Sequence, residues 1–359
     1  MPAEAPPMDI TPYLKLMAQK NASDLFFSAG APVKIKIDGV VQSIGEKIFD
    51  ERMCAAAVRS IMTEEQAQLF EKQREMDLGI GLRDHGRFRI NAFFQRGAPA
   101  MVIRYLSGKI PTIDGLNLPP ILKDLVMHKR GIVLMVGATG SGKSTTLAAM
   151  IDHRNANSNG HILTIEDPIE YLHPHKHSII NQRELGIDTL SYAAALKSSL
   201  REAPDVILIG EIRTRETMEA AIELSGTGHL AISTLHANNA YQALERVINL
   251  FPQDLHKTLF MDLSLNLRAI ISQRLVRTIE GGRVAAIEIL VSTSHIADLI
   301  RDGRVDEIRE AMASTKEAGM TTFDDALLAL YRSGRVSLEE CLINADSAAN
   351  LETKINFGG

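Results

Sequence analysis

Gly131-Ile132-Val133-Leu134-Met135-Val136-Gly137-Ala138-Thr139-Gly140-Ser141-Gly142-Lys143-Ser144-Thr145-Thr146 is the stretch on which the reading of this chain turns. The apolar run Ile132 to Val136 is too short to span a bilayer and reads as a buried strand. Gly137 to Ser144 fits G-x-x-x-x-G-K-[ST], and helical sequence follows, the setting in which that pattern binds phosphates. Its glycines let consecutive backbone N–H groups converge on the anion, and the helix N-terminus adds the positive end of its dipole. Lys143 can neutralise β- and γ-phosphate charge, the Ser144 hydroxyl can hold Mg2+, and Thr145 can cap the α-phosphate side. The expected cradle for ATP is Gly137, Ala138, Thr139, Gly140, Ser141, Gly142, Lys143, Ser144 and Thr145.

Downstream, a short apolar strand and a longer amphipathic helix alternate: Gly131 to Gly137, His161 to Glu166, Asp205 to Glu211 and His229 to His236, each followed by helical sequence. That rhythm predicts a mostly parallel sheet covered on both faces, hence an α/β fold. From about Thr293 onward the pattern is all helical, with Phe323 to Tyr331 the clearest segment.

Upstream, residues 9 to about 105 mix both kinds of element. Ile10, Leu14 and Met17 share a helical face, and Val33, Ile35 and Ile37 alternate with polar residues before a turn at Asp38-Gly39. Helical spacing returns over residues 51 to 73, and Phe88 to Phe94 and Ala100 to Tyr105 are two candidate strands. The stretch Ser107 to Pro120 carries three prolines and two glycines, which break helix and strand alike. The expected organisation is an α+β domain at 1–106, a linker at 107–120 and an ATPase domain with C-terminal helices at 121–359.

Composition narrows the classes. Hydrophobic residues make up 45% and charged ones 23% of 359, ordinary for a globular protein of more than one domain. A net charge of -5 leaves no global positive field to collect nucleic acid or acidic lipid. Cys54 and Cys341 stand far apart with no partner at metal-ligand spacing, which fits reduced thiols in the cytosol. The opening MPAEAPPMDITPYLKLM lacks a basic stretch followed by an apolar core, so no secretory signal is expected there.

A hydrolase also needs carboxylates at the tips of strands near its phosphate loop. Val206-Ile207-Leu208-Ile209-Gly210-Glu211 is an apolar strand ending in an acid, and Glu211 is assigned to the magnesium and water shell. Ile165-Glu166-Asp167-Pro168 ends another strand, and Glu166 is assigned as general base. Asp205 precedes its strand and belongs at the far edge of the sheet.

Two histidines bracket one core strand. His236, at the C-terminal tip where ligands bind in open α/β sheets, is a candidate for touching the γ-phosphate; His229 is a second candidate, with an ordinary structural histidine as its alternative. The alternating His173, His175 and His177 lack a carboxylate or thiol to complete a metal set and read as a polar loop. Arg87, Arg89, Arg96 and Arg104 decorate the two N-terminal strands. They are either a solvated face or, for Arg89 and Arg104, a source of charge to the phosphates of an adjacent subunit. Arg201 is a further candidate.

These residues resemble the secretion-superfamily ATPases, and within them the PilT/PilU family of type IV pilus retraction motors. The likeness runs from about Met8 to Ile355 and is carried by SDLFFSAG, GRFRINAFFQR, GATGSGKSTTLAAMI, TIEDPIEY, PDVILIGEIRTRETM, GTGHLAISTLHANNA and GMTTFDDAL. The resemblance implies a PAS-like N-terminal domain joined flexibly to a RecA-like ATPase domain. It also implies a homo-hexamer with ATP between subunits, and roles for Lys143, Ser144, Glu166, Glu211, His229 and His236, with Arg89 and Arg104 as the intersubunit arginines. The implied work is fibre depolymerisation against an inner-membrane pilus platform protein, from a cytoplasmic position at the pilus base. Membrane contact would run only through that machine, with no direct nucleic acid.

Several stretches, including the ending NADSAANLETKI, are closer to the PilU branch. Where PilT carries A-I-R-N-L-I, this chain has Ser294-His295-Ile296-Ala297-Asp298-Leu299-Ile300, with Ala297 in place of the arginine. An accessory motor working beside a PilT-like companion is the expectation. Pilus assembly and type II secretion ATPases share the core motifs but typically add an N-terminal domain and a tetracysteine zinc site. A RecA-like DNA translocase would want basic, aromatic-bearing loops, and this chain has no Trp. A nucleotide-binding regulator that does not hydrolyse would not need Glu166 and Glu211.

Overall fold

The computed structural model describes residues 8–357 except 38, 84, 107–108 and 315–318. The Asp38 turn, the start of the expected linker at Ser107-Gly108 and the beginning of the opening segment read above lie outside the described residues. The chain divides into two compact units, 1–110 with 170–173, and 111–169 with 174–359. The division between units falls at Ile110 and Pro111, while Ile113 and Leu118 are buried in the second unit's core.

The first unit runs α1 (Thr11–Gln19), β1 (Asp24–Phe27), β2 (Ala31–Ile37), β3 (Val40–Phe49), α2 (Glu51–Arg59), α3 (Glu64–Gln73), β4 (Glu75–Leu82), β5 (Gly86–Gln95) and β6 (Ala98–Leu106). Among the described residues its sheet has six strands in the order β3-β2-β1-β6-β5-β4, all neighbours antiparallel. Met17, Leu25, Phe27, Phe49, Phe88 and Ile103 are buried in one core. The helical spacing over residues 51 to 73 resolves into two helices, α2 and α3. The first ends at Arg59, and Thr63 starts the second through a capping box, its hydroxyl accepting from Gln66 N while the Gln66 side chain accepts from Thr63 N.

The second unit runs α4 (Ile121–Val126), β7 (Gly131–Val136), α5 (Lys143–Asn157), β8 (Gly160–Glu166), β9 (Ser178–Glu184), α6 (Tyr192–Ser199), β10 (Val206–Ile209), α7 (Arg215–Gly226), β11 (Leu230–Leu235), α8 (Ala240–Asn249), α9 (His256–Asn266), β12 (Leu267–Arg277), β13 (Arg283–Val291), α10 (Ser294–Arg301), α11 (Ile308–Ser314), α12 (Phe323–Arg332), α13 (Leu338–Asn344) and α14 (Ala348–Phe357). Among the described residues its sheet has seven strands in the order β13-β12-β7-β11-β10-β8-β9, parallel except for β13, which returns antiparallel to β12. The β12–β13 hairpin turns through Gly281 and Gly282, at φ of 90° and 92°, with the Thr278 hydroxyl donating to Gly281 O at 2.6 Å.

Side chains alternate across a strand, and here the alternation feeds two cores. Ile132, Leu134 and Val136 of β7 pack with Ile207 and Ile209 against residues of α6 to α10. Val133 and Met135 pack with Val206 and Leu208 against α4 and α5. The C-terminal helices α12 to α14 close on Val276, Val284 and Ala286 of the outer hairpin. Both cysteines are buried and free. Among the described residues no helix is long and apolar enough to cross a membrane.

Candidate active site

Strand order and direction decide which residues meet. Since β7, β11, β10 and β8 are parallel neighbours, their C-terminal tips form one edge, carrying in turn the loop Gly137 to Gly142, His236, Glu211 and Glu166. Ligands bind at such an edge in open α/β sheets.

The loop is shaped for an anion. A Cβ at Gly137 would lie 2.5 Å from Gln273 O and 2.6 Å from Ser141 Oγ, and one at Gly142 would lie 2.8 Å from Gln273 Nε2. The Lys143 ammonium donates to Gly137 O at 2.7 Å and Ala138 O at 2.9 Å, both carbonyls of the loop it would leave to meet phosphate. Ser141 Oγ is buried with no hydrogen-bond partner, an orphan that an added phosphate oxygen would satisfy. Gln273 braces the loop from β12. Its amide donates to Ser141 O at 2.8 Å and its oxygen accepts from Thr146 Oγ1 at 2.7 Å, all three residues buried. For Mg2+ the donors present are hard oxygens, the Ser144 hydroxyl and the Glu211 carboxylate, a set that suits a small cation completed by phosphate and water.

Glu211 stands at the centre of the carboxylate cluster. Its Oε1 is 3.3 Å from His236 Nε2, and its Oε2 accepts from Arg213 Nε at 2.7 Å. The pairing raises the guanidinium pKa of Arg213, first through the hydrogen bond and then through the charge of Glu211. Glu166 Oε1 accepts from Thr164 Oγ1 at 2.6 Å and Gln182 Nε2 at 3.3 Å, which aim it along the sheet edge. Tyr192 opens α6 amid these acids. Burial, then the charges of Asp167, Glu166 and Glu211, push its phenol up to about 12, so it stays a proton donor at neutral pH. Gly210 makes room for it, since a Cβ there would lie 2.7 Å from the Tyr192 hydroxyl.

His229 is elsewhere. It precedes Leu230, which pairs with Gly131 at the start of β7, whereas Leu235 pairs with Val136 at the loop. Six residues of strand at about 3.3 Å each put it roughly 20 Å from the phosphate edge of its own chain. Its Nδ1 lies 3.0 Å from Leu224 O and 3.1 Å from Thr227 Oγ1. Asp205 sits at that same far end and accepts from His161 N at 2.8 Å. Arg201 follows α6 just before this end.

The N-terminal arginines stand on the first unit's sheet. Arg89 and Arg104 are direct partners in the β5–β6 ladder. Arg104 Nε donates to Asp24 Oδ1 at 3.0 Å; an Arg89 amino group lies 3.6 Å from Asp77 Oδ1, and Arg89 Nε is buried without a partner. Among the expected loop histidines, His175 Nδ1 accepts from Ile180 N at 3.1 Å, a turn-closing role. Ala297 lies on α10 beside Asp298, whose carboxylate pairs with Arg301 at 2.7 Å.

Sequence reasoning missed Arg213, Tyr192 and Gln273. Arg213 had a local signal, an arginine two positions after a strand-end acid; the other two enter only through the fold.

Comparison with known proteins agrees with this geometry. The family profile described as type II/IV secretion system protein matches residues 7–282. The type IV pilus ATPase PilU of Pseudomonas aeruginosa is 50% identical over 352 residues, covering 98% of this chain and 92% of that protein. The type IV pilus retraction ATPase PilT of the same organism is 42% identical, covering 92% of this chain and 96% of its own length. A crystal structure of the pilus retraction motor PilT with bound ADP superimposes with a TM-score of 0.89 at 40% identity, covering 96% of this chain and 99% of that one.

Proposed function

Because this chain belongs to the type II/IV secretion system protein family, we propose that it is an ATP-hydrolysing motor of the PilU kind that drives type IV pilus retraction. The observation that carries this reading is the gathering of the phosphate loop, His236, Glu211 and Glu166 on one edge of one sheet.

ATP enters with its phosphates on the loop amides, and Lys143 exchanges its two carbonyl partners for phosphate oxygens. The Ser144 hydroxyl and Glu211, directly or through water, would hold Mg2+, which would supply neutralising charge for the phosphates. Glu166 takes the proton of the attacking water. His236, standing against Glu211, touches the γ-phosphate and registers its loss. Arg89 and Arg104 supply charge from a neighbouring subunit, which requires a ring; we take it to be a homo-hexamer. The N-terminal domain and the ATPase domain, joined near Ile110 and Pro111, then move against one another as ATP is turned over.

In the cell the ring works on the cytoplasmic side of the inner membrane, against the pilus platform protein. The arginine of the retraction segment is absent at Ala297, so this motor is an accessory to a PilT-like companion. Two experiments test the reading. Phosphate release by the purified ring should require magnesium and collapse in Glu166→Gln; equal turnover in that variant removes the general base. Deleting the gene with and without an intact companion motor should weaken fibre retraction under load, and unchanged pili in both backgrounds overturns the retraction assignment.

A further inference from the structure

β12 gives three consecutive side chains to three parts of the ATPase unit. Gln273 braces the phosphate loop. Ser272 donates to Glu288 Oε1 at 3.1 Å, and the same oxygen accepts from the backbone N–H of Ala240 at 2.7 Å, the first residue of α8. Arg274, on the face opposite Gln273, donates from one amino group to Asn238 O at 3.1 Å and Asp346 Oδ1 at 2.6 Å, and from the other to Asn344 O at 2.6 Å. Its guanidinium also lies 3.8 Å from the Phe323 ring centroid, a cation–π contact with α12.

Asn238 is two residues beyond His236, in the four-residue loop from the end of β11 to the start of α8. That loop is therefore anchored at Ala240 by Glu288 and at Asn238 by Arg274. The Arg274 anchor is continuous with the C-terminal helices, because Asn344 ends α13, Asp346 lies in the link from α13 to α14, and Asp346 N donates to Asp324 Oδ1 on α12 at 2.9 Å. The guanidinium reaches two carbonyls and a carboxylate from two separated amino groups of one rigid fork, a spread that the single ammonium nitrogen of a lysine does not reproduce. A cavity of about 500 Å3, lined by Asn238, Gln242, Arg274, Arg309, Asn344 and Asp346, leaves this junction room to yield on one side.

We propose that Arg274 is a positioning residue for ATP turnover, joining the His236 loop to the C-terminal helices so that those helices set where His236 stands. This rests on the reading that His236 takes part in turnover. The test is steady-state ATP hydrolysis by the assembled full-length ring, comparing Arg274→Lys, His236→Ala and the double variant, with ADP affinity and ring assembly as folding controls. Arg274→Lys should lower kcat about tenfold and change KM less than about twofold. In the His236→Ala background the same change should cost less than about twofold, because the route it acts through is already gone.

An equal fold-loss in both backgrounds, or an unchanged kcat in Arg274→Lys, overturns the proposal while leaving the role of His236 intact. A His236→Ala ring that turns over like the parent removes both, and the phosphate-loop assignment is then judged separately by Lys143→Ala. If Arg274→Lys does not assemble, Asp346→Asn, which keeps size and removes the far-end charge, takes its place with the same expected pattern and the same overturning results.

Discussion

The two ends of the parallel sheet carry similar residues and put them to different use. At the end where β11 and β10 begin, His229, His161 and Asp205 bond to backbone and to neighbouring uncharged side chains: His229 with Leu224 O and Thr227 Oγ1, His161 with Glu202 O and Asn181, Asp205 with His161 N. Arg154 donates there to Val126 O and His128 O, and burial lowers its pKa. At the end where the strands finish, Glu211 is shared between His236 and Arg213, Lys143 is held by carbonyls of its own loop, and Ser141 Oγ has no partner. One edge is closed on itself and the other is composed of contacts that a ligand can exchange. Residue type is therefore a poor guide to role in this unit; strand direction is the better one.

The largest effects should separate the edges. Glu166→Gln and Lys143→Ala should each lower kcat/KM about a hundred- to ten-thousand-fold in a phosphate-release assay while the fold persists by circular dichroism. A loss below tenfold in either would break the contrast.

A second difference concerns protons. Burial pushes the Glu288 carboxyl up to about 7, with Asp346 adding to the rise and the hydrogen bonds from Ala240 and Ser272 and the charge of Arg274 opposing it. The folded chain then keeps a proton that the unfolded chain releases near 4.5, so this group's contribution is most favourable at acid pH and falls as pH rises from about 4.5 to about 7. Glu288→Gln should gain on the parent by up to about 3 kcal/mol across that window and hold the difference above it, read by denaturant unfolding at a series of pH values.

At the closed edge the currency is stability. Asp205→Ala leaves His161 N–H without its acceptor and should cost about 1–3 kcal/mol of unfolding free energy with kcat kept within about twofold. His229→Ala should be smaller still, about 1 kcal/mol, with turnover retained. Should His229→Ala instead silence a folded ring as His236→Ala does, the closed edge would have to serve a nucleotide held by another subunit.

Much of the open edge was legible beforehand, because strand-end acids and a glycine-rich turn are local patterns. Glu166, Glu211 and His236 each end an apolar run, and one rule about parallel sheets places all three together. Gln273 had no such sign, since it meets Ser141 across 132 positions and Thr146 across 127. Tyr192 opens an unremarkable helix and acquires meaning only from the acids on neighbouring strands. Several strands were illegible for a different reason. β3 is exposed along nearly its whole length, so no apolar alternation marks it, and β4 buries Leu78 alone among its eight residues. β13 is a nearly continuous apolar run and β12 is broken by Arg268 and by Ser272, Gln273 and Arg274, so neither shows the alternation of a half-buried strand.

That hairpin constrains anyone who would alter this chain. Its tight Gly281-Gly282 turn holds Ser272 opposite Glu288 and Arg274 opposite Ala286. A residue inserted in the turn that slid β13 by one position would carry Glu288 to the opposite face, severing its ties to Ser272 and to the start of α8 together. A fluorescent tag or epitope is better grafted at Leu190, 96% exposed in the loop before α6, where length is set by no ladder.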